Sequence, residues 1–453
     1  MIKSIDYTKG SVARSVLIYA VPLMLATIMQ NLFSIVDTAV LGNMAGTVDV
    51  ASIAATGTVS SLIINGAVGL STGTAIVLAR FIGQKSKEKI RSTVDTSLLT
   101  SVVLGLIVAV AGMFLAPVFL TVTNCPEECY NGALIYMRIV IAAAPATLLY
   151  NYGSAILRTL GDTKRPLIYI AIAGVVNVGL NIILCLILQN KVVAVALATV
   201  TSNLISAFLV TRRLCRLEDE ARVVIKKLRF KFDAFLKIVR FGIPASISSI
   251  ILPLGNLQIT TAINSFGSQA IAGHSAAASI ECISYAVSGG FESAAMTFMG
   301  RNIGAKDVDR VKKTFWCCMA LSVTVTGSLG VLTYLTGELW LGLILGASSS
   351  EAIGYGMLRL LYVVLFMFVY AISTLLTSAL NAFGYPMLTS ITNIAFDFGF
   401  RVMWMQFIYP MNPKFTTIML CYTASWLLNM SFYLVFFCFV YRRYVKKGIC
   451  KKI

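Results

Sequence analysis

R-F-I-G-Q-K-S-K-E-K-I-R (residues 80–91) recurs in the second half of the chain as R-N-I-G-A-K-D-V-D-R-V-K (residues 301–312). The two stretches share an Arg, an Ile, a Gly and a Lys at equal spacing. Further along, L-R-T-L-G (157–161) aligns with L-N-A-F-G (380–384), and a proline follows each stretch within a few residues. The chain is therefore built from two similar halves.

Long apolar blocks surround both copies of this repeat. Only 12% of the 453 residues are charged and 58% are hydrophobic, whereas a soluble domain carries about twice that charged fraction. Each block approaches or exceeds the ~20 residues that cross a bilayer core. We predict an all-α polytopic membrane protein, with twelve transmembrane helices in two six-helix lobes related by a pseudo-two-fold repeat. The predicted spans are 15–41, 51–80, 93–120, 131–157, 165–188, 192–211, 236–266, 270–299, 312–337, 354–383, 387–409 and 415–441.

The basic residues predict how the chain crosses the membrane. The net charge is +18, and most of the 37 Lys and Arg residues lie at the two termini and in every second loop. Because cytoplasmic loops of membrane proteins carry an excess of Lys and Arg, we expect a multi-pass protein of the cell membrane with both termini in the cytoplasm. This topology accounts for the charge without a nucleic-acid partner.

The repeat also predicts the domain organisation. We assign residues 1–211 to an N-terminal lobe (spans one to six), 212–235 to a cytoplasmic linker and 236–453 to a C-terminal lobe. The linker is charged and amphipathic, so we expect a surface helix lying on anionic lipid headgroups. We expect a monomer.

The sequence contains no phosphate-binding P-loop, no metal-ligand cluster and only one histidine. These features argue against an enzyme or a primary pump and for a secondary transporter that needs no cofactor. The ten cysteines include Cys125 and Cys129, which flank P-E-E on a predicted external loop and could form a disulfide.

Three loop motifs carry a resemblance to a known family: G-Q-K-S-K-E-K (83–89), I-L-R-T-L-G-D-T-K-R-P (156–166) and F-M-G-R-N-I-G-A-K-D (298–307). At their spacing they resemble the Multidrug And Toxic compound Extrusion (MATE) family. The resemblance implies a V-shaped pair of lobes that exports cationic or amphipathic small molecules in exchange for H⁺ or Na⁺ by alternating access. A lipid-linked oligosaccharide or lipid flippase of the same superfamily is the alternative, and a cation channel is a third reading.

Asp37 is the first functional candidate, because an ionisable residue at the centre of a membrane helix costs about 2.5–3.5 kcal/mol or more. Asn177 and Asn181 lie four residues apart and therefore share a helix face. Resemblance to the family's DinF-type branch implies that Asp37, Asn177, Asn181 and Thr199 take up the coupling cation. A proton is one candidate for that cation, and the same oxygens could instead coordinate Na⁺. The alternative is a neutral Asp37 that only ties spans together.

The remaining candidates are predicted to line a cavity or the interior of the C-terminal lobe. His274, Glu281 and Glu292 fall on one face of span eight, with Tyr285 beside them. The two glutamates could attract cationic substrates, although Glu292 could instead act as a latch and His274 could serve only as a structural hydrogen-bond partner. Gln30 shares the Asp37 face of span one. In the second half, the repeat places Gln258 at the position equivalent to Asp37.

Asp397 and Arg401 lie four residues apart in span eleven. Opposite charges at this spacing can pair on one helix face. We predict a structural ion pair, with substrate contact as the alternative.

Overall fold

The computed structural model describes residues 10–123, 125–346 and 349–447, and these ranges contain helices and no strand. The helices of the first half are α1 (Val12–Met44), α2 (Thr47–Ala55), α3 (Gly57–Gly83), α4 (Lys87–Val122), α5 (Glu127–Ala142), α6 (Ala144–Leu160), α7 (Lys164–Ile187) and α8 (Lys191–Cys215). Those of the second half are α9 (Phe232–Asn264), α10 (Ser268–Gly304), α11 (Val308–Leu335), α12 (Gly337–Leu345), α13 (Ser350–Tyr362), α14 (Met367–Phe383), α15 (Pro386–Asn393), α16 (Arg401–Met403) and α17 (Phe415–Lys447). Two wider π-helical segments, Ile394–Phe400 and Trp404–Ile408, flank α16.

Nine helical spans in the described part of the chain are long and apolar enough to cross a membrane, and the pair α5–α6, bent by 46°, would make a tenth. Pro145 lies at the start of α6, where it cannot continue the hydrogen bonding of α5. The two remaining predicted spans, α10 and the region 386–411, hold the ionisable candidates of the second half. The all-α polytopic fold predicted from the sequence is confirmed.

The repeat is visible in the backbone of two turns. Lys85 (φ 53°) and Lys306 (φ 60°) are the only described non-glycine residues with positive φ, and they occupy equivalent repeat positions. The Lys85 amide donates to the Ile82 carbonyl at 3.0 Å, and the Lys306 amide donates to the Ile303 carbonyl at 3.1 Å. Each left-handed residue therefore closes one helix and starts the next in the same way.

Replacing Lys306 with glycine should stabilise the protein. The left-handed conformation strains a residue that has a Cβ atom, and glycine removes that strain at some cost in unfolded-state entropy. We expect Lys306→Gly to raise the free energy of unfolding by about 0.5–1 kcal/mol, measured as a higher midpoint of thermal unfolding in detergent. Lys313→Gly, in the exposed interior of α11, should lower it by a similar amount. A destabilising Lys306→Gly would contradict the turn geometry.

The described residues divide into two compact units. One is Leu25–Ser246, and the other comprises residues 10–24 and 247–447. The first turns of α1 thus pack within the second unit, where the Tyr19 hydroxyl lies 2.9 Å from the Thr297 hydroxyl. The first half of α9 packs within the first unit, where Ser246 donates to the Gly66 carbonyl at 3.0 Å. Lobes at 1–211 and 236–453 remain a prediction. Compared with these lobes, the first compact unit also includes the first half of α9, and the second also includes the first turns of α1.

The helix predicted for the linker is wrong. Between α8 and α9 the chain is irregular except for one 3₁₀ turn, Ile225–Lys227. The Val223 amide donates to the Leu214 carbonyl at 3.1 Å, and the Val223 side chain is buried. Folding back onto the end of α8 covers apolar side chains that a surface helix would leave exposed. Lys231 then binds Glu88 at 2.6 Å, which ties the linker to the start of α4.

Candidate functional site

A polar cluster lies buried between α7 and α8 in the first unit. Asn181 is fully buried and Asn177 is 6% exposed. The Asn181 amide donates to Asn177 Oδ1 at 3.2 Å, and the Asn177 amide donates to Ser202 Oγ at 3.4 Å. The spacing of four places both asparagines on the face that α7 turns towards α8.

Ser202 is a member of this cluster that sequence reasoning missed. The predicted Thr199 takes part in the cluster only through its backbone carbonyl. The Ser202 hydroxyl donates to the Thr199 carbonyl at 2.8 Å, and the Thr199 hydroxyl donates to Val195 in its own helix at 3.0 Å. Ser202 lies three residues after Thr199 and thus on the same face. This three-residue spacing from Thr199 is the feature of the sequence that could have identified Ser202.

Asp37 lies within α1, and its side chain is outside the described part of the structure. The neighbouring turn is described: a Cβ atom added to Gly174 of α7 would collide with the Phe33 ring of α1. Phe33 precedes Asp37 by four residues, and Gly174 precedes Asn177 by three. In the predicted topology both helices start from the same side of the membrane. Position 37 therefore lies about one turn beyond a close α1–α7 contact, at the level of Asn177.

A buried ion pair occupies the interior of the second unit. Glu281 on α10 is 1% exposed and Arg359 on α13 is 5% exposed. Arg359 binds one carboxylate oxygen of Glu281 through Nε at 2.8 Å and Nη2 at 2.7 Å. Its Nη1 lies 3.0 Å from Nδ1 of His274, which is half-buried. The predicted face of α10 thus turns its glutamate and histidine to a common arginine.

Sequence reasoning missed Arg359. A single arginine inside the apolar block 354–383 is itself a signal, since charged residues in spans are rare and usually paired. Its partner is not predictable from spacing, because Glu281 lies on another helix.

A second ion pair forms within the widened helix around α16. Arg401 Nη2 lies 3.6 Å from Asp397 Oδ1, and both side chains are buried. Arg401 also donates to Asn256 Oδ1 at 2.6 Å and to Ser425 Oγ at 3.2 Å. The guanidinium therefore bridges this segment to α9 and α17.

The two ion pairs meet at one aromatic ring. The guanidinium carbon of Arg359 lies 5.1 Å from the Tyr422 ring centroid, and that of Arg401 lies 4.9 Å from it. A ring face attracts a cation, and the attraction strengthens away from water. Glu281, Arg359, Tyr422, Arg401 and Asp397 thus form one continuous network, which we call the C-unit network.

The other predicted site residues stand apart from the C-unit network or at its edge. Glu292 is half-buried beside the Ser378 hydroxyl, and no described Lys or Arg pairs with it. Tyr285 makes an edge-to-face contact with Tyr370 at 5.0 Å between ring centroids. Gln30 and Gln258 are exposed.

Cys125 and Cys129 are both free thiols, and Cys129 is buried. Within the described ranges, no group of three or more His, Cys, Asp or Glu side chains could hold a metal ion.

Comparison with known proteins gives a consistent result. The chain matches the protein family described as MatE over residues 22–183 and 244–403. It is 24% identical over 404 residues to the probable multidrug resistance protein YoeA of Bacillus subtilis (strain 168), covering 87% of this chain and 86% of that protein. It is 23% identical over 370 residues to the probable multidrug resistance protein NorM of Thermotoga maritima, covering 81% of this chain and 79% of that protein.

A crystal structure of MATE in complex with MaL6 superposes on 98% of this chain and 99% of its own, with a TM-score of 0.89 at 19% identity. The backbone likeness shows that the chain has the twelve-helix fold of MATE transporters.

Proposed function

Because the chain belongs to the MatE family, we propose that it is a secondary active multidrug efflux antiporter. It exports cationic or amphipathic small molecules in exchange for an inward flow of H⁺ or Na⁺, by alternating access. The observation that carries this proposal is the family match, which covers both halves of the chain. Two relatives that align over about four fifths or more of the chain are named probable multidrug resistance proteins.

The coupling site in this proposal is Asp37 together with Asn177, Asn181 and Thr199. Its support is the buried amide cluster on α7, which lies at the level of position 37 of α1. In that cluster Asn177 Oδ1 already accepts a hydrogen bond from Asn181. Fewer oxygen lone pairs remain for a hard cation such as Na⁺, so we propose H⁺ as the coupling ion.

The substrate side of this proposal rests on Glu292. Glu281 was an equal candidate from the sequence, but its charge is balanced by Arg359 at 2.7 Å. Glu292 has no such partner among the described residues and can balance the charge of an organic cation. Tyr285, His274, Gln30 and Gln258 are proposed as secondary contacts around the substrate path. Asp397 and Arg401 are proposed to hold the unit together.

The basic loops support a placement in the cell membrane with both termini in the cytoplasm. We propose that the working unit is a monomer, since each chain contains both lobes of the repeat.

Purified protein in proteoliposomes tests the proposed function. A fluorescent organic cation should be transported when a pH gradient is imposed without Na⁺, and should not respond to a Na⁺ gradient at uniform pH. A response to Na⁺ alone would reverse the choice of ion. A response to neither gradient would remove the antiporter and favour the flippase alternative.

The same assay tests the substrate residue. Glu292→Gln should weaken transport of a cationic dye about ten-fold and leave a neutral dye within about two-fold, because about 1.4 kcal/mol of charge attraction corresponds to a factor of ten. The matched variant Glu128→Gln alters an exposed acid in the first turn of α5 and should alter neither rate. Equal losses for both dyes would contradict the assignment of Glu292.

A further inference from the structure

A groove with a cavity volume of about 320 Å³ opens on the surface of the second unit between α11, α14 and α17. Leu376 of α14 lies in its floor, and Trp316 and Leu434 lie in its walls. Trp316 is 59% exposed and Cys438, also in the wall, is exposed. Since these apolar side chains belong to membrane spans, the groove faces lipid.

The dimensions of the groove match one leaflet. Its α11 wall reaches Val323. From Phe315, where this wall begins, to Val323 the helix rises about 12 Å, at 1.5 Å per residue. Half of a ~30 Å hydrocarbon core is about 15 Å. The wall therefore extends along most of the acyl region of one leaflet, and the volume of the groove lies at the small end of ligand sites.

Two basic side chains, Lys312 and Arg442, lie at the mouth of the groove. On α11 the lining residues Phe315, Trp316, Met319 and Val323 define one helix face, and Lys312 lies in the centre of that face while Lys313 lies about 100° away. On α17, Arg442 lines the groove, whereas Arg443 points about 100° further round the helix. Lys312 and Arg442 are both exposed.

Aromatic rings lie between the cations and the apolar depth. Phe315 stacks on Phe437 with ring centroids 4.3 Å apart, and Phe437 stacks on Tyr441 at 5.4 Å. Amphipathic Trp and Tyr rings prefer the headgroup level of a bilayer, and Trp316 and Tyr441 lie at the mouth. Asp309 lies near Tyr441 at the same end, so these side chains give the mouth one net positive charge.

We propose that this groove is a binding site for one anionic glycerophospholipid of the leaflet that faces the base-rich loops. An acyl chain lies along Leu376, Cys438 and Leu434, and the phosphate is held by Lys312 and Arg442. The charges provide the preference for an anionic headgroup, because each base near a membrane surface strengthens the attraction of anionic lipid several-fold.

Quenching of Trp316 fluorescence by brominated acyl chains tests this site in the full-length protein. Vesicles contain either brominated phosphatidylglycerol or brominated phosphatidylcholine with the same chains, and the Trp316 signal is the difference between wild type and Trp316→Phe. We expect phosphatidylglycerol to quench Trp316 at about a ten-fold lower mole fraction than phosphatidylcholine.

Two matched double variants separate a site from general charge. Lys312→Ala/Arg442→Ala should abolish the preference, while Lys313→Ala/Arg443→Ala removes the same charge from adjacent exposed positions and should keep it within about two-fold. Asp309→Asn should increase the preference. All positions are outside the buried core, and retention of the circular dichroism spectrum checks folding. Equal quenching by both lipids in the wild type, or equal losses in both double variants, would overturn the proposal.

Discussion

The Asp37→Asn variant should fold and insert normally but lose gradient-driven export, with transport falling to the level of protein-free vesicles. An asparagine can replace the hydrogen bonds of the carboxyl group, but it cannot release or take up a proton at neutral pH. Position 37 lies one turn beyond the contact between Phe33 and Gly174, at the level of the buried pair Asn177 and Asn181. The measurement is dye export from proteoliposomes under an imposed pH gradient.

A matched control makes the same change at an exposed carboxylate. Asp233 lies in the first turn of α9 and is exposed, so Asp233→Asn should leave coupled export within about two-fold of the wild type. Dye binding by Asp37→Asn, measured without a gradient, separates lost coupling from lost substrate affinity. If the variant folds and still exports dye against a gradient, the coupling role of Asp37 is wrong.

Arg359→Met should destabilise the protein more than any single exposed substitution discussed above. Arg359 supplies the cation for Glu281, which is 1% exposed, and it donates to His274 as well. Removing one partner of a buried ion pair leaves the other charge uncompensated, which costs about 3–5 kcal/mol. The expected result is a lower midpoint of thermal unfolding in detergent, followed by circular dichroism.

The double variant Arg359→Met/Glu281→Gln provides the internal control. It removes both charges, and replacing a whole buried pair is often close to neutral, so most of the lost stability should return. Arg443→Met, at an exposed position on α17, should change stability by less than about 0.5 kcal/mol. Equal destabilisation by the single and double variants would show that the Arg359 side chain acts through packing instead of charge.

Features that depend on neighbouring residues were predictable. The turn at Lys85 and its repeat partner Lys306 depend on the few residues around each glycine and lysine, so the shared sequence implied the shared structure. The face of α10 that carries His274 and Glu281 follows from the helical period, and both residues meet Arg359. Local spacing was sufficient wherever one helix alone decides the geometry.

Features that depend on which helices are neighbours were not predictable. The linker was expected to form a helix because its pattern is amphipathic, yet Val223 is buried against the end of α8. Ser202 was passed over between more polar neighbours, and it is the residue that faces Asn177. In both cases the outcome depended on which surface of another helix was available for packing. That surface is formed only when the chain folds, so spacing within one segment of the sequence does not reveal it.

The sequence by itself determined the membrane spans, the two-fold repeat and the family, because apolar length, loop charge and short motifs are all properties of contiguous residues. Tertiary structure alone decided the partners: Arg359 for Glu281, and Tyr422 between Arg359 and Arg401. The physical reason is the cost of a buried charge. That cost favours a partner for a charge inside the membrane, but only the packing of helices brings a particular partner within reach.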